Sequence, residues 1–136
     1  MKDYSYIEKQ INEIIEGVLF GENRIFDIKK GDIVIEVKSC KEFFKTGEKF
    51  NRGKIIINVD SHRENLINYG DNFKYIIAIK DEKDNLVYFF MTSGNEINRI
   101  MQNKKIYTNQ KGLNVIQIYH NEIIDIEYIK YITDKN

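Results

Sequence analysis

The chain has 136 residues, 42% of them apolar, which suits a single globular domain over residues 1–136 with a real hydrophobic core. Formal net charge is zero, so affinity for a polyanion must come from local segregation of charge. The lone cysteine, Cys40, excludes a disulfide framework and a cysteine zinc cluster, and the lack of a leader-like or ~20-residue apolar run predicts an intracellular protein without a membrane span.

Residues 3–19 predict an amphipathic helix, because Ile7, Ile11, Ile14, Ile15, Val18 and Leu19 recur at helical spacing. Glu8 lies on the border of that stripe, beside Ile15 and Leu19, whereas Glu13 points nearly opposite and Glu16 is intermediate. Gly21 and Asn23 are the expected break. Residues 24–38 predict an antiparallel hairpin whose second strand is rich in β-branched side chains. A two-residue loop at Lys30-Gly31 pairs Ile28 with Ile33 and Asp27 with Val34. Side chains alternate along a strand, so Glu36 and Lys38 share one face while Ile33, Ile35 and Val37 take the other. Asp27 then falls on the face of Glu36, one diagonal step away.

Residues 39–54 predict a basic loop carrying Lys41, Lys45, Lys49, Arg52 and Lys54, interleaved with Phe43, Phe44 and Phe50. With Lys29 and Lys30 these cations are candidate phosphate contacts, against the plainer reading of a solvated loop whose phenylalanines pack on the core or a second subunit. Cys40 is expected to be small and buried. Residues 55–59 are a strand or a buried connection, and Ser61 to Glu64 fits a capping box for a helix that stops at Gly70. His62, in its first turn, is expected at the surface. Tyr75–Lys80 predicts a central strand, residues 81–85 a turn, and Leu86–Met91 a returning strand. Ser93 to Glu96 caps a further helix with Ile97, Ile100 and Met101 on its buried stripe, Asn109 to Gly112 is a loop, and Leu113–Tyr119 is the last expected strand. Residues 121–132 fit a helix better than a strand, and Tyr119, Tyr128 and Tyr131 are expected in packing or at a subunit interface rather than stacked on bases. His120 has no clustered partners that would signal a metal site.

Two carboxylates and an ammonium beside a buried strand suit metal-assisted phosphodiester cleavage. Carboxylate oxygens suit Mg²⁺, which polarises a phosphate and acidifies water, and an ammonium offsets developing charge. At these residues the chain resembles the PD-(D/E)xK, or restriction-endonuclease-like, nucleases. Asp27 matches the motif aspartate and Glu36-Val37-Lys38 the (D/E)xK element, with Phe26 where proline is often found. Asp27-Ile28-Lys29 and Asp81-Glu82-Lys83 also fit the tripeptide, but only the second occurrence sits in an apolar strand preceded by an acidic strand. The element order over residues 5–92 looks like the archaeal Holliday junction resolvases, although their basic N-terminal segment is not evident in Met1 to Tyr6 and the chain continues through a C-terminal extension, 93–136.

The resemblance implies an α/β fold with a central mixed β-sheet flanked by helices. It also implies a Mg²⁺-dependent DNA endonuclease, with Mn²⁺ able to substitute, working as a homodimer on structured DNA such as a four-way junction. Asp27, Glu36 and the Val37 carbonyl would hold metal, Lys38 would orient the attacking water, and Glu8 would be the assisting first-helix glutamate. The competing readings are a restriction-type endonuclease, a DNA-binding module that keeps the fold without the chemistry, and an unrelated α/β domain with a chance motif.

Overall fold

The computed structural model describes residues 6–20, 26–46 and 49–132, leaving aside the side chains of 44–46 and 49–51. Its centre is a six-stranded mixed sheet in the order β1 (Val18–Leu19), β2 (Ile28–Lys30), β3 (Ile33–Lys41), β7 (Phe73–Lys80), β8 (Leu86–Ser93), β11 (Ile126–Tyr131). Only β3 and β7 run parallel, joined by a crossover through β4 (Phe43–Thr46), β5 (Lys49–Arg52), β6 (Lys54–Asn58) and helix α2 (Val59–Tyr69). Helix α1 (Tyr6–Ile15) covers one face, where Ile7, Ile11 and Ile15 meet Ile28, Ile35, Ile76, Ala78 and Phe89. On the other face Val34, Phe73, Tyr75, Ile77 and Ile79 pack with residues of β6, α2, helix α3 (Gly94–Met101) and β10 (Asn114–Tyr119). Strand β10 pairs with β6 on one side and with β9 (Tyr107–Thr108) on the other. Burial on both faces explains why Tyr75 to Ile79 reads as an unbroken apolar run.

The expected α/β class with a mixed sheet flanked by helices is present, and several local expectations need correction. Helix α1 ends at Ile15 rather than Leu19, and residues 3–5 lie outside the described residues. Glu16 takes φ +59°, a left-handed conformation that closes a helix, and the Lys30 ammonium donates to the Ile15 carbonyl. At Gly17 a Cβ would lie 2.6 Å from Ile28 Cγ2, so glycine lets the chain turn against β2 and begin β1. The expected break at Gly21 and Asn23 falls outside the described residues.

The hairpin register differs by two residues from the expected one. Lys30 pairs with Ile33 and Ile28 with Ile35, so the loop is Gly31-Asp32, with Gly31 at φ +59° in its first position. A two-residue shift preserves the face of every side chain, because strand side chains alternate with a period of two. The expected loop over 39–54 is corrected for its described residues: β3 continues beside β7 to Lys41, and β4 pairs antiparallel with β5 so that Phe43 opposes Arg52. Residues 126–131 form a strand, not a helix, because β8 offers an open edge to a β-branched and aromatic segment. Helix α2 starts before Ser61, with the Asn58 side chain accepting from Ser61 N at 3.1 Å. His62 is buried rather than superficial, at 1% exposure. Among the described residues no helix is long and apolar enough to cross a membrane.

One ion pair ties the C-terminal third to the core. The Ser93 hydroxyl caps α3 by accepting from Glu96 N at 2.9 Å. The Glu96 carboxylate accepts from Arg99 Nε at 2.7 Å and, through Oε2, from the Ile124 and Asp125 amides at 2.9 and 3.1 Å. The Arg99 bond chiefly holds this carboxyl near 2, below its ordinary 4.5, with the two amides acting in the same direction. Its contribution to stability is therefore complete above pH 4.5 and lost as pH falls through 2. Glu96→Ala strands two backbone donors and is expected to lower stability by about 2–3 kcal/mol at pH 7. Urea unfolding at pH 7 and pH 3 should show the deficit shrinking at the lower pH.

Candidate active site at the β2–β3 hairpin

Strand β2 pairs with β3 only as far as Ile28 and Ile35. Beyond that point the Asp27 amide donates to the Ile35 carbonyl at 2.8 Å, and Asp27 Oδ2 accepts from the Val37 amide at 2.8 Å. A side-chain carboxylate thus takes the place of the next ladder bond. Amide and carbonyl of one strand residue point to the same strand edge, so the Val37 carbonyl is directed to the Asp27 side as well. Phe26, buried beside Phe20 and Tyr69 with ring centroids 5.1 and 5.7 Å away, anchors the chain just before Asp27.

Asp27, Glu36 and Lys38 come together. Asp27 is buried, and its side chain hydrogen-bonds Glu36. Lys38 Nζ lies 3.5 Å from Glu36 Oε2, with about a fifth of the Glu36 side chain exposed (20%). Burial chiefly, and the neighbouring Asp27 charge, push the Glu36 carboxyl from 4.5 up to about 8, against the opposing pull of Lys38. Without a cation, Glu36 therefore holds a proton at neutral pH and donates it within the pair.

Among the described residues no three His, Cys, Asp or Glu side chains gather into a metal-holding group. The donor set is Asp27 and Glu36, with the Val37 carbonyl at the same edge. Two carboxylates leave most of the coordination shell to water and substrate, which fits Mg²⁺. Glu8 is not gathered with them, because α1 packs its isoleucines on the opposite face of the sheet.

The expected phosphate contacts are dispersed. Lys29, opposite Val34, shares the face of Asp27 and Glu36, whereas Lys30 lies on the other face and bonds to Ile15. Lys41 lies near the far end of β3, about 23 Å along the strand from Lys29, and 4.0 Å from Asp84. Arg52 sits 5.1 Å over the Phe43 ring, and Lys54 donates to Gln117 at 3.1 Å. The side chains of Lys45 and Lys49 are outside the described residues.

A buried polar group beside the site escaped sequence reasoning. Tyr75 is the parallel partner of Glu36 on the same sheet face. Its Oη is 2.8 Å from His62 Nδ1, and His62 Nε2 is 3.3 Å from Asn98 Oδ1. Burial chiefly holds His62 below its ordinary pKa, so the ring is neutral at neutral pH. Burial, with the nearby Glu36, drives the Tyr75 phenol well above its usual value. The parallel pairing of β3 with β7 is set by the crossover, so no local sequence pattern announces that Tyr75 neighbours Glu36.

No protein-family model matches the chain, and neither does any curated protein sequence.

In the metal-free protein, Glu36 keeps its proton between about pH 4.5 and 8, where the unfolded chain loses it. Stability from this group is thus full below 4.5 and lost as pH rises through 8. Glu36→Gln should remove that slope. In EDTA, the melting temperature of Glu36→Gln relative to wild type should rise from pH 5 to pH 8.5.

Proposed function

We propose that the chain is a Mg²⁺-dependent DNA endonuclease of the restriction-endonuclease-like type. The observation that carries the reading is the juxtaposition of Asp27, Glu36 and Lys38 where β2 stops pairing with β3. The succession of α1, hairpin, crossover through α2, parallel β7 and antiparallel β8 supports the fold assignment, since it follows the order of the nucleases that the motif resembles.

Asp27, Glu36 and the Val37 carbonyl would hold the cation. Bound there, Mg²⁺ would polarise the scissile phosphate and favour ionisation of the attacking water. Asp27 is oriented for this by the Val37 amide, which holds Oδ2 in place while the carboxylate stays bonded to Glu36. Glu36 must release its proton to serve as a ligand, so cation uptake and proton loss are linked at this residue. The Lys38 ammonium, next to Glu36, orients the water and offsets charge on the phosphate as the phosphorus–oxygen bond breaks. Lys29, on the same face, would contact the phosphate backbone, and a homodimer would present two such sites to a structured substrate.

The test is incubation of labelled four-way junction, linear duplex and supercoiled plasmid with wild type and Lys38→Ala, in Mg²⁺ or EDTA. Mg²⁺-dependent cleavage is expected, falling about 10²–10³-fold in Lys38→Ala. Preference for the junction would mark a resolvase, and sequence-specific duplex cleavage a restriction-type enzyme. Salt-sensitive DNA binding with no cleavage of any substrate would replace the enzyme reading with that of a binding module.

A further inference from the structure

Glu36 has four neighbours on its face of the sheet. Val34 and Lys38 stand two residues away along β3, Asp27 lies on the β2 side, and Tyr75 lies on the β7 side. Three of these neighbours are accounted for by packing or by the site itself. Tyr75 is a polar residue at 2% exposure, placed where an aliphatic side chain like Ile77 and Ile79 would serve the core equally well.

Its hydroxyl is committed away from solvent. Asn98 Oδ1 is an acceptor, so the His62 Nε2 facing it carries the hydrogen, and His62 Nδ1 is left to accept from the Tyr75 hydroxyl. The His62 ring also stacks at 28° on the Tyr75 ring, and the Phe73 ring lies 4.9 Å from the Tyr75 ring, centroid to centroid. The three residues come from β7, α2 and α3, so the hydrogen bonds fix the phenol ring with respect to both helices above the sheet.

We propose that Tyr75 is a positioning residue for the cation site, held by His62 and Asn98 so that its ring walls the β7 side of Glu36. This rests on Asp27 and Glu36 being cation ligands. A ligating carboxylate binds more tightly when its rotamers are restricted before the cation arrives, and outer partners that restrict it typically affect affinity 10–100-fold. Asp27 restricts Glu36 on one side, and the pinned ring restricts it on the other.

The experiment is Mn²⁺ titration of the full chain, read by the electron paramagnetic resonance of free Mn²⁺, with circular dichroism to confirm folding. Tyr75→Phe keeps the ring and removes the bond that pins it. It is expected to weaken Mn²⁺ binding about tenfold. Asn98→Ala, remote from Glu36, should weaken binding in the same direction but less, and Asn98→Asp, which keeps an oxygen for His62 Nε2–H, should restore it. Wild-type affinity in both Tyr75→Phe and Asn98→Ala would overturn the positioning role while leaving the cation site standing. Failure of wild type to bind Mn²⁺ would overturn the cation site and this role with it.

Discussion

The structure depends on a side-chain carboxylate that ends a β-ladder. Asp27 Oδ2 takes the Val37 amide that a longer β2 would have bonded through its backbone. This leaves the edge of β3 open to Asp27 at the point where Glu36 and Lys38 follow the apolar run Ile33 to Ile35. A backbone partner would have covered that edge and left no oxygen there to share with Glu36. The neighbouring core, Val34 and Tyr75 on one face and Ile35 and Ile76 on the other, fixes the strand so that the carboxylates cannot separate by sliding.

Burial gives the site its chemical character. Two carboxylates in a half-desolvated setting cannot both ionise cheaply, so Glu36 keeps its proton near neutrality although Lys38 opposes this. A divalent cation held by Asp27 and Glu36, as proposed, would resolve the same conflict by offsetting both charges. The arrangement is thus costly as a purely structural ion pair, because an apolar residue at 36 would avoid burying a second carboxylate beside Asp27. That cost is the physical reason for reading the cluster as functional. The cations expected to grip DNA are less concentrated than their spacing in the chain suggests. Lys29 faces the site, while Lys30 closes α1 and Lys41 lies far along β3.

Period-two alternation made the site legible in the sequence. It placed Glu36 and Lys38 opposite Ile33, Ile35 and Val37, and it survived a wrong turn position because the register error was an even number of residues. The central strand, its return and the Ser93 cap were legible for similar local reasons. What could not be read depends on partners distant in the chain. The chain turns close against Ile28 at Gly17, residues 126–131 become a strand because β8 has an open edge, and His62 is buried beside Tyr75 and Asn98. The basic stretch after β3 looked like a loop because Phe43-Phe44-Lys45-Thr46 and Lys49-Phe50-Asn51-Arg52 lack a period-two apolar pattern, yet these segments pair as antiparallel strands.

The most direct test of the central claim is a crystal structure of the chain soaked in Mn²⁺, with anomalous scattering recorded at the manganese edge. An anomalous peak is expected beside the carboxylates of Asp27 and Glu36, with the hydrogen bond between them gone. Anomalous density elsewhere, or none, with Asp27 and Glu36 still joined by their proton, would contradict it.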